Sequence, residues 1–498
     1  MQNNPYITLI TPDAPIAADT HGGRAKCLQR LARLDLPVPR AVAVSFSAVH
    51  DIAKGNVPDI NAILDQFDPS SLLCVRPSSE DPDWGGPGAL LNIGMNDARY
   101  VDLSETMGAD AAASLYLRFA QTYALHVARL DPDVFEDLIE EGPTGLSEML
   151  HAYESEAEEQ FPQVRGEQLT AVLKSMARAW DGTTARLLRQ AKGAPPDAGL
   201  GLVVQEMIPG VGPGECGSGV MQLVDPATGN PQISGRYLSQ SQGRDALGAK
   251  AGALYIKKDP RGPSLEDAAP QAFADLKAHA ALMRTKLREE MQVEFVIANG
   301  TVHLLDGVRV ARSSKAAVRI AVTLAEDGII PHQEAIMRVD PHALNELLHR
   351  QVHPDAERDV LTTAIGASPG AATGKIVFTA AEAQASAARG EACVLVRRET
   401  SSEDVRGMHA AVAVLTEKGG MTSHAAVIGR GMGLPCIVGA SEMRFQIRKR
   451  ILTAPDGRSF RTGDILTIDG SSGQVLSGEP EMLSAQLDDS FQKLMTWA

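Results

Sequence analysis

The segment EKGGMTSHAAVIGRGMGLPCIVGA, residues 417–440, sets one imidazole, His424, between a glycine pair and a run of small apolar residues. An imidazole can act as a nucleophile and carry a phosphoryl group if the ring is reachable and the transferred charge finds a partner. Just upstream, HAAVAVLT has the apolar, β-branched character of a buried strand. EKGG supplies a tight turn, and TSH opens with two residue types that cap helices. Strand, glycine turn and helix start together present free backbone N–H groups and the positive end of a helix dipole to whatever the ring carries. Ala425 and Ala426 leave the ring uncovered. A lone histidine at a helix start is more commonly a cap or a core residue, so its neighbours decide the reading.

Three compositional zones must position this residue and its donor. Residues 1 to about 100 mix short strand-like runs (AVAVSFS, SLLCVRPS) with glycine- and proline-rich loops (DPDWGGPGAL). From about 103 to 192 the chain reads as helix, with long stretches free of proline and glycine. Strands return from about 200 to 310, and VEFVIANGTVHLLDG is a hairpin candidate with ANG as its turn. Residues 313–350 return to helix and end in the polar stretch HRQVHPDAERDV, which suits a linker. A second domain begins at about 361 with GASPGAATG and the short strands KIVFT, ACVLVRR, PCIVG and DILTIDG. The tail EMLSAQLDDSFQKLMTWA reads as one amphipathic helix.

At 498 residues the chain calls for two to four domains. The net charge of −15, with no dense lysine or arginine block, argues against nucleic acid and membrane surfaces as partners. It leaves room for a small phosphorylated ligand at a local positive site. Five scattered cysteines without a C-x-x-C pair fit reduced thiols. With no signal-peptide pattern and no long apolar run, the expected compartment is the cytoplasm.

GGMTSHAAVIGRGMGLPCIVG resembles the phosphohistidine segment of the PEP-utilising enzymes, especially those of the pyruvate phosphate dikinase type. GASPGAATGKIVFTAAEA and LVRRETSSEDVRGMHAAVAVLTEKGG are similar to the same family's swivelling domain, in order, over some hundred residues. The resemblance implies that His424 is phosphorylated in turnover, with Thr422 standing where the family also has threonine. It implies an α/β (α+β) architecture. An ATP-grasp-like nucleotide-binding domain over 1–350 carries a helical insert at about 103–192; a swivelling β/β/α phosphohistidine domain spans 361–480, and a helix or linker covers 481–498.

The first 350 residues resemble the family's ATP-grasp domain through HGGRAKCLQRLARLDLPVPRAVAVS, CVRPSSED, GGPGALLNIGMND, VVQEMIPGVGPGECGSGVMQLVDPATG and VEFVIANGTVHLLDGVRV. Such a site needs cations on phosphates, backbone N–H groups from glycine loops, and carboxylates for Mg²⁺. The resemblance then gives Arg24 and Arg76 to the phosphates of ATP, with Gly85, Gly86 and Gly88 as the phosphate loop. Gln205 and Glu206 fall where the adenine edge is read, and Glu294 with Asp306 hold the metal.

Several positions depart from the family. Arg24 replaces a lysine, Asp306 a glutamine that ligates metal, and Val308 an arginine for which Arg309 could substitute only after a register shift. Arg236 and Arg244 stand at positions of glutamates. Dikinases also continue into a barrel that binds pyruvate or PEP, and FQKLMTWA resembles the start of the linker to it; no stretch here supplies the roughly 200 residues that eight βα units need. Three functions are therefore expected to compete. In the first, ATP phosphorylates His424 and a separate barrel subunit supplies pyruvate. In the second, a dikinase-type transfer serves another acceptor. In the third, a non-catalytic regulatory relative keeps a degenerate ATP site. A homodimer is compatible with all three. For the swivel, residues from about 350 to 362 and from about 479 onward are the expected hinges.

Overall fold

The computed structural model describes residues 6–140, 142–242, 252–341, 344, 350–353, 356–483 and 488–498. Arg244 lies outside the described residues, as do parts of both expected hinges. The chain divides into two compact units: residues 1–225 with 231–311, and residues 226–230 with 312–498. The helices after residue 311, which the sequence reading grouped with the N-terminal domain, cluster with the second unit.

In the first unit, one antiparallel sheet has the order β1-β2-β5-β3-β4. Its strands are β1 (Ile7–Leu9), β2 (Ala41–Val44), β3 (Leu73–Ser79), β4 (Leu90–Ile93) and β5 (Leu200–Glu206). Helix α1 (Ala18–Arg33) lies on this sheet, and Gly22 explains how. Its φ is 86°, and a Cβ there would sit 1.8 Å from the Ser78 carbonyl oxygen. Only glycine lets the start of α1 rest directly on β3. Ser78 Oγ completes the join, donating to the His21 carbonyl at 2.7 Å and accepting from Ala25 N–H at 3.1 Å. The HGG motif thereby fixes Arg24 beside the strand that carries Arg76.

Between β4 and β5 the described chain is mostly helical from Asp97 to Ala191, as its long stretches free of proline and glycine lead one to expect, with an irregular stretch at about 158–164. Helix α2 (Ala109–Tyr123) buries Leu115, Tyr116, Phe119 and Ala120 in the core shared with the first sheet. A second antiparallel sheet has the order β10-β9-β6-β7-β8. Its strands are β6 (Gly217–Val224), β7 (Pro231–Ser239), β8 (Leu254–Tyr255), β9 (Met291–Ala298) and β10 (Thr301–Arg309). Asn299 and Gly300, both at positive φ, turn the β9–β10 hairpin where ANG was expected to. A register shift falls between Leu304 and Asp306, leaving Asp306 opposite Glu294. Past that shift Arg309 pairs with Met291 in the ladder, and its Nε meets Glu289 at 3.2 Å.

The second unit centres on an eight-stranded mixed sheet, order β12-β22-β21-β14-β15-β16-β17-β13. Here β12 is Val360–Thr363, β13 Ile365–Ser368, β14 Ala371–Val377, β15 Cys393–Arg397, β16 Ala413–Thr416 and β17 Cys436–Val438, while β21 and β22 are Ile465–Asp469 and Gln474–Ser477. A three-stranded sheet of β18 (Arg444–Gln446), β19 (Ile451–Thr453) and β20 (Ser459–Arg461) adjoins in sequence. β14 to β17 run parallel and are apolar on both faces, as doubly covered strands must be. Before the sheet, β11 (Gln351–Val352) pairs with β23 (Met482–Leu483) after it. Three helices of this unit, α3 (Ser314–Glu326), α4 (His332–Met337) and α6 (Asp489–Trp497), pack together. His332 stacks on Trp497 at 4.0 Å, and Arg319 pairs with Asp488 at 2.8 Å. The tail is thus not one helix: it begins as strand β23 and its described helix covers only Asp489–Trp497.

Candidate functional site

A cavity of about 890 Å³ opens between the two sheets of the first unit, lined by α1, β3, residues 85–88, α2, β5 and the β9–β10 hairpin. That volume suits a nucleotide-sized ligand. Every sequence-derived nucleotide and metal candidate lines it: Arg24, Arg76, Gly85, Gly86, Gly88, Gln205, Glu206, Glu294 and Asp306. Arg118, Gln121 and Thr122 of α2 also line it, and sequence reasoning missed them because a helical insert gives no sign of which face meets a cleft.

Electrostatically, the cavity is closed upon itself. Arg24 Nε donates to Asp306 Oδ2 at 2.5 Å and its Nη1 to the Pro77 carbonyl. Arg76 Nη2 pairs with Glu294 and lies 3.8 Å from Asp306 Oδ2, while its Nη1 donates to the Leu305 carbonyl at 2.7 Å. The second Asp306 oxygen accepts from the Gly307 N–H at 2.8 Å. Asp306 is only 1% exposed. Burial opposes the charge of Arg76, but the Glu294 and Asp306 carboxylates outweigh it and hold the guanidinium above its ordinary pKa. Next to this cluster, burial first and the Asp306 charge second push the Cys27 thiol up to about 12. The thiol donates to the Gly307 carbonyl at 3.0 Å and is no nucleophile.

Hard carboxylate oxygens brought to one register are the kind of donor Mg²⁺ takes, and Glu294 and Asp306 fit it in kind. Both already hold guanidinium groups, so metal binding here means exchanging those partners. The cavity also holds one unanswered group. Gln205 is buried on β5, and both polar atoms of its amide lack a hydrogen-bond partner among the described residues. An orphaned buried amide costs about 1–3 kcal/mol until something pairs with it. Glu206, its neighbour, accepts from Ser71 Oγ at 2.5 Å.

In the second unit, Gly419 at φ 116° turns the chain after β16, and α5 (His424–Met432) follows. Ser423 caps it, accepting from Ala426 N–H at 3.4 Å, so His424 is the first helical residue. The ring is half-buried, and its Nδ1 lies 3.1 Å from Thr400 Oγ1. Thr422 is exposed in the turn before the cap; the ring's hydroxyl partner is Thr400. Thr400 lies in the ETSSEDVRGM stretch, where nothing local marks it, since a contact spanning twenty-four residues has no local signature. Arg430 of α5 ties back to the turn through the Met421 carbonyl at 2.6 Å.

Residues 390–473, which bracket this histidine, match the family model of the PEP-utilising enzyme mobile domain. That segment of the chain is similar to the mobile domain. Over 96% of its length it is similar to pyruvate, phosphate dikinases: 35% identical to that of Rhizobium meliloti (strain 1021), 32% to that of Clostridium symbiosum and 30% to the chloroplastic protein of Flaveria pringlei. It spans 58% of the length of the first two and 53% of the third. The mobile-domain match covers β15 through β21, three of the four parallel strands together with the His424 turn. Among the described residues, no helix is long and apolar enough to cross a membrane.

Proposed function

We propose that this chain is the ATP-using, phosphohistidine-bearing part of a pyruvate phosphate dikinase-like phosphotransferase. ATP occupies the first unit's cavity, His424 takes the phosphoryl group, and pyruvate, or another small acceptor held outside these 498 residues, receives it. The observation that carries the reading is the imidazole at the first position of α5 with Nδ1 on Thr400. A proton on Nδ1, donated to Thr400 Oγ1, leaves the Nε2 lone pair free. Nε2 attacks the β-phosphorus, a P–N bond forms, and the P–O bond to the departing AMP breaks with its electron pair, so the group left on the ring carries the β-phosphorus. The free N–H groups at the start of α5 then receive the phosphoryl oxygens.

In the cavity, Arg24 and Arg76 are the cations for the phosphates, residues 85–88 supply backbone donors, and the Gln205 amide finds a partner on the base. Glu294 and Asp306 would hold Mg²⁺, which when bound neutralises phosphate charge. The short β11–β23 ribbon is the hinge about which the mobile domain turns, and the cytoplasm is the compartment that five unpaired cysteines suit. A non-catalytic second reading rests on one observation, that Arg24 and Arg76 are already spent on Glu294 and Asp306.

Incubation with β-labelled ATP and Mg²⁺ separates the two. Acid-labile label on the unaltered protein, absent from a folded His424→Ala variant, is the expected result. Label that persists in His424→Ala sinks the carrier assignment. No label and no Mg–ATP binding by calorimetry would leave the non-catalytic reading standing.

A further inference from the structure

A second cavity of the first unit, about 660 Å³, shares no lining residue with the first. It lies between β7 and the turn after β8, which pair only at Arg236–Tyr255 and Tyr237–Leu254. In a chain of net charge −15, its charged lining is Arg236, Lys257, Lys258 and Arg261 against the single carboxylate Asp259. Three of the four cations are held in place. Arg261 grips Asp259 with two side-chain bonds of 2.7 and 2.6 Å, and its guanidinium lies 5.0 Å from the centre of the Tyr255 ring. Arg236 lies 4.4 Å from the centre of the same ring. Lys258 is fixed by its N–H on Glu266 at 2.9 Å and its Nζ on Asp267 at 2.9 Å.

Asp259 and Asp267 pair with Arg261 and Lys258, and Glu266 adds a third carboxylate beside Lys258. Among the described residues, Arg236 and Lys257 have no carboxylate within ion-pair distance. Four cations against these three carboxylates, with Asp259 reaching Arg236 only at longer range, leave an excess of positive charge that suits a phosphate monoester, which carries about −1.5 to −2 near neutral pH. The planar forks of two arginines held by one ring suit phosphate oxygens, and their fixed positions lower the ordering cost of binding. The cavity is far larger than a phosphate alone, so an organic remainder has room.

We infer that this cavity binds a small phosphate monoester, with the phosphate on Arg236 and Lys257 and Arg261 completing its ring of donors. The inference is independent of turnover in the first cavity. Calorimetric titration of the full chain with glycerol 3-phosphate and with inorganic phosphate, at low and high salt, tests it. The expected result is saturable binding at one site, weakened at high salt and by at least about tenfold in Arg236→Ala/Lys257→Ala. Both residues are exposed, so that variant keeps the fold. Tyr255→Leu keeps all four cations but removes the ring that arranges two of them, and is expected to weaken binding several-fold. No saturable binding by the unaltered chain, or unchanged affinity in the double variant, overturns the site. Unchanged affinity in Tyr255→Leu overturns the arrangement proposed for it.

Discussion

In the first unit's cavity, two arginines and two carboxylates are spent on one another, with no side chain of the four more than 13% exposed. At the His424 turn of the second unit, the ring has one neutral hydroxyl contact and an exposed neighbour on the turn. The cavity stores its binding groups already paired, so a ligand must replace partners. The histidine is held lightly, so it can give up its surroundings at little cost. A donor site that must discriminate gains from the first arrangement, and a carrier that must travel gains from the second.

Breaking the paired cluster should have the largest effect. Arg76→Ala leaves two carboxylates facing each other across β9 and β10 with half their counter-charge, and should destabilise the first unit by about 3–5 kcal/mol. Denaturant unfolding followed at Trp84 and Trp180 reports that unit, and Trp497 reports the other, which should not move. A loss below about 1 kcal/mol would mean the cluster does not hold the sheets together. Removing the light contact should matter less. Thr400→Val should slow labelling of His424 about tenfold, or ~1.4 kcal/mol of barrier, with no change in Mg–ATP affinity. Thr400→Ser should restore the rate; if it does not, the hydroxyl is not what orients the ring.

A milder perturbation sharpens the comparison. Asp306→Gln relieves Arg24 of its counter-ion and should raise Mg–ATP affinity by a few-fold in calorimetry, whereas Glu294→Ala should abolish labelling. Equal or weaker binding in Asp306→Gln would show that Asp306 helps more as an anion than it hinders. The smallest expected effect is on pH. Burial lowers the pKa of His21, His279 and His303, all in the first unit. Their folded-state pKa lies below the unfolded value near 6.5, so the stability they contribute is present above about pH 6.5 and is lost as pH falls. Thermal melts from pH 7.5 to 5.5 should lower the first unit's midpoint, and His21→Gln should flatten that slope.

The presence of short strands, the helical insert and the hairpin turn were legible because glycine, proline and period-two alternation are local signals; the order of strands within each sheet was not. The gathering of Arg24, Arg76, Glu294 and Asp306 in one cavity was implied by the resemblance of their motifs to the family's. Their pairing with one another was not legible. Whether a carboxylate faces an arginine or open space depends on the approach of two sheets, which no window of sequence contains. Thr400 was hidden for the same reason, and the break in the tail because two paired residues, Met482 and Leu483, are too few to show alternation.

The pairing of β11 with β23 has one further consequence. The chain enters and leaves the eight-stranded sheet region through neighbouring strands, Gln351 beside Leu483 and Val352 beside Met482. The stretch between them is therefore a closed excursion: its two ends are adjacent, so lengthening, shortening or exchanging it leaves the spacing of everything outside it unchanged. Such a segment can be traded between proteins as a cassette, each recipient keeping its own scaffold and acquiring a histidine.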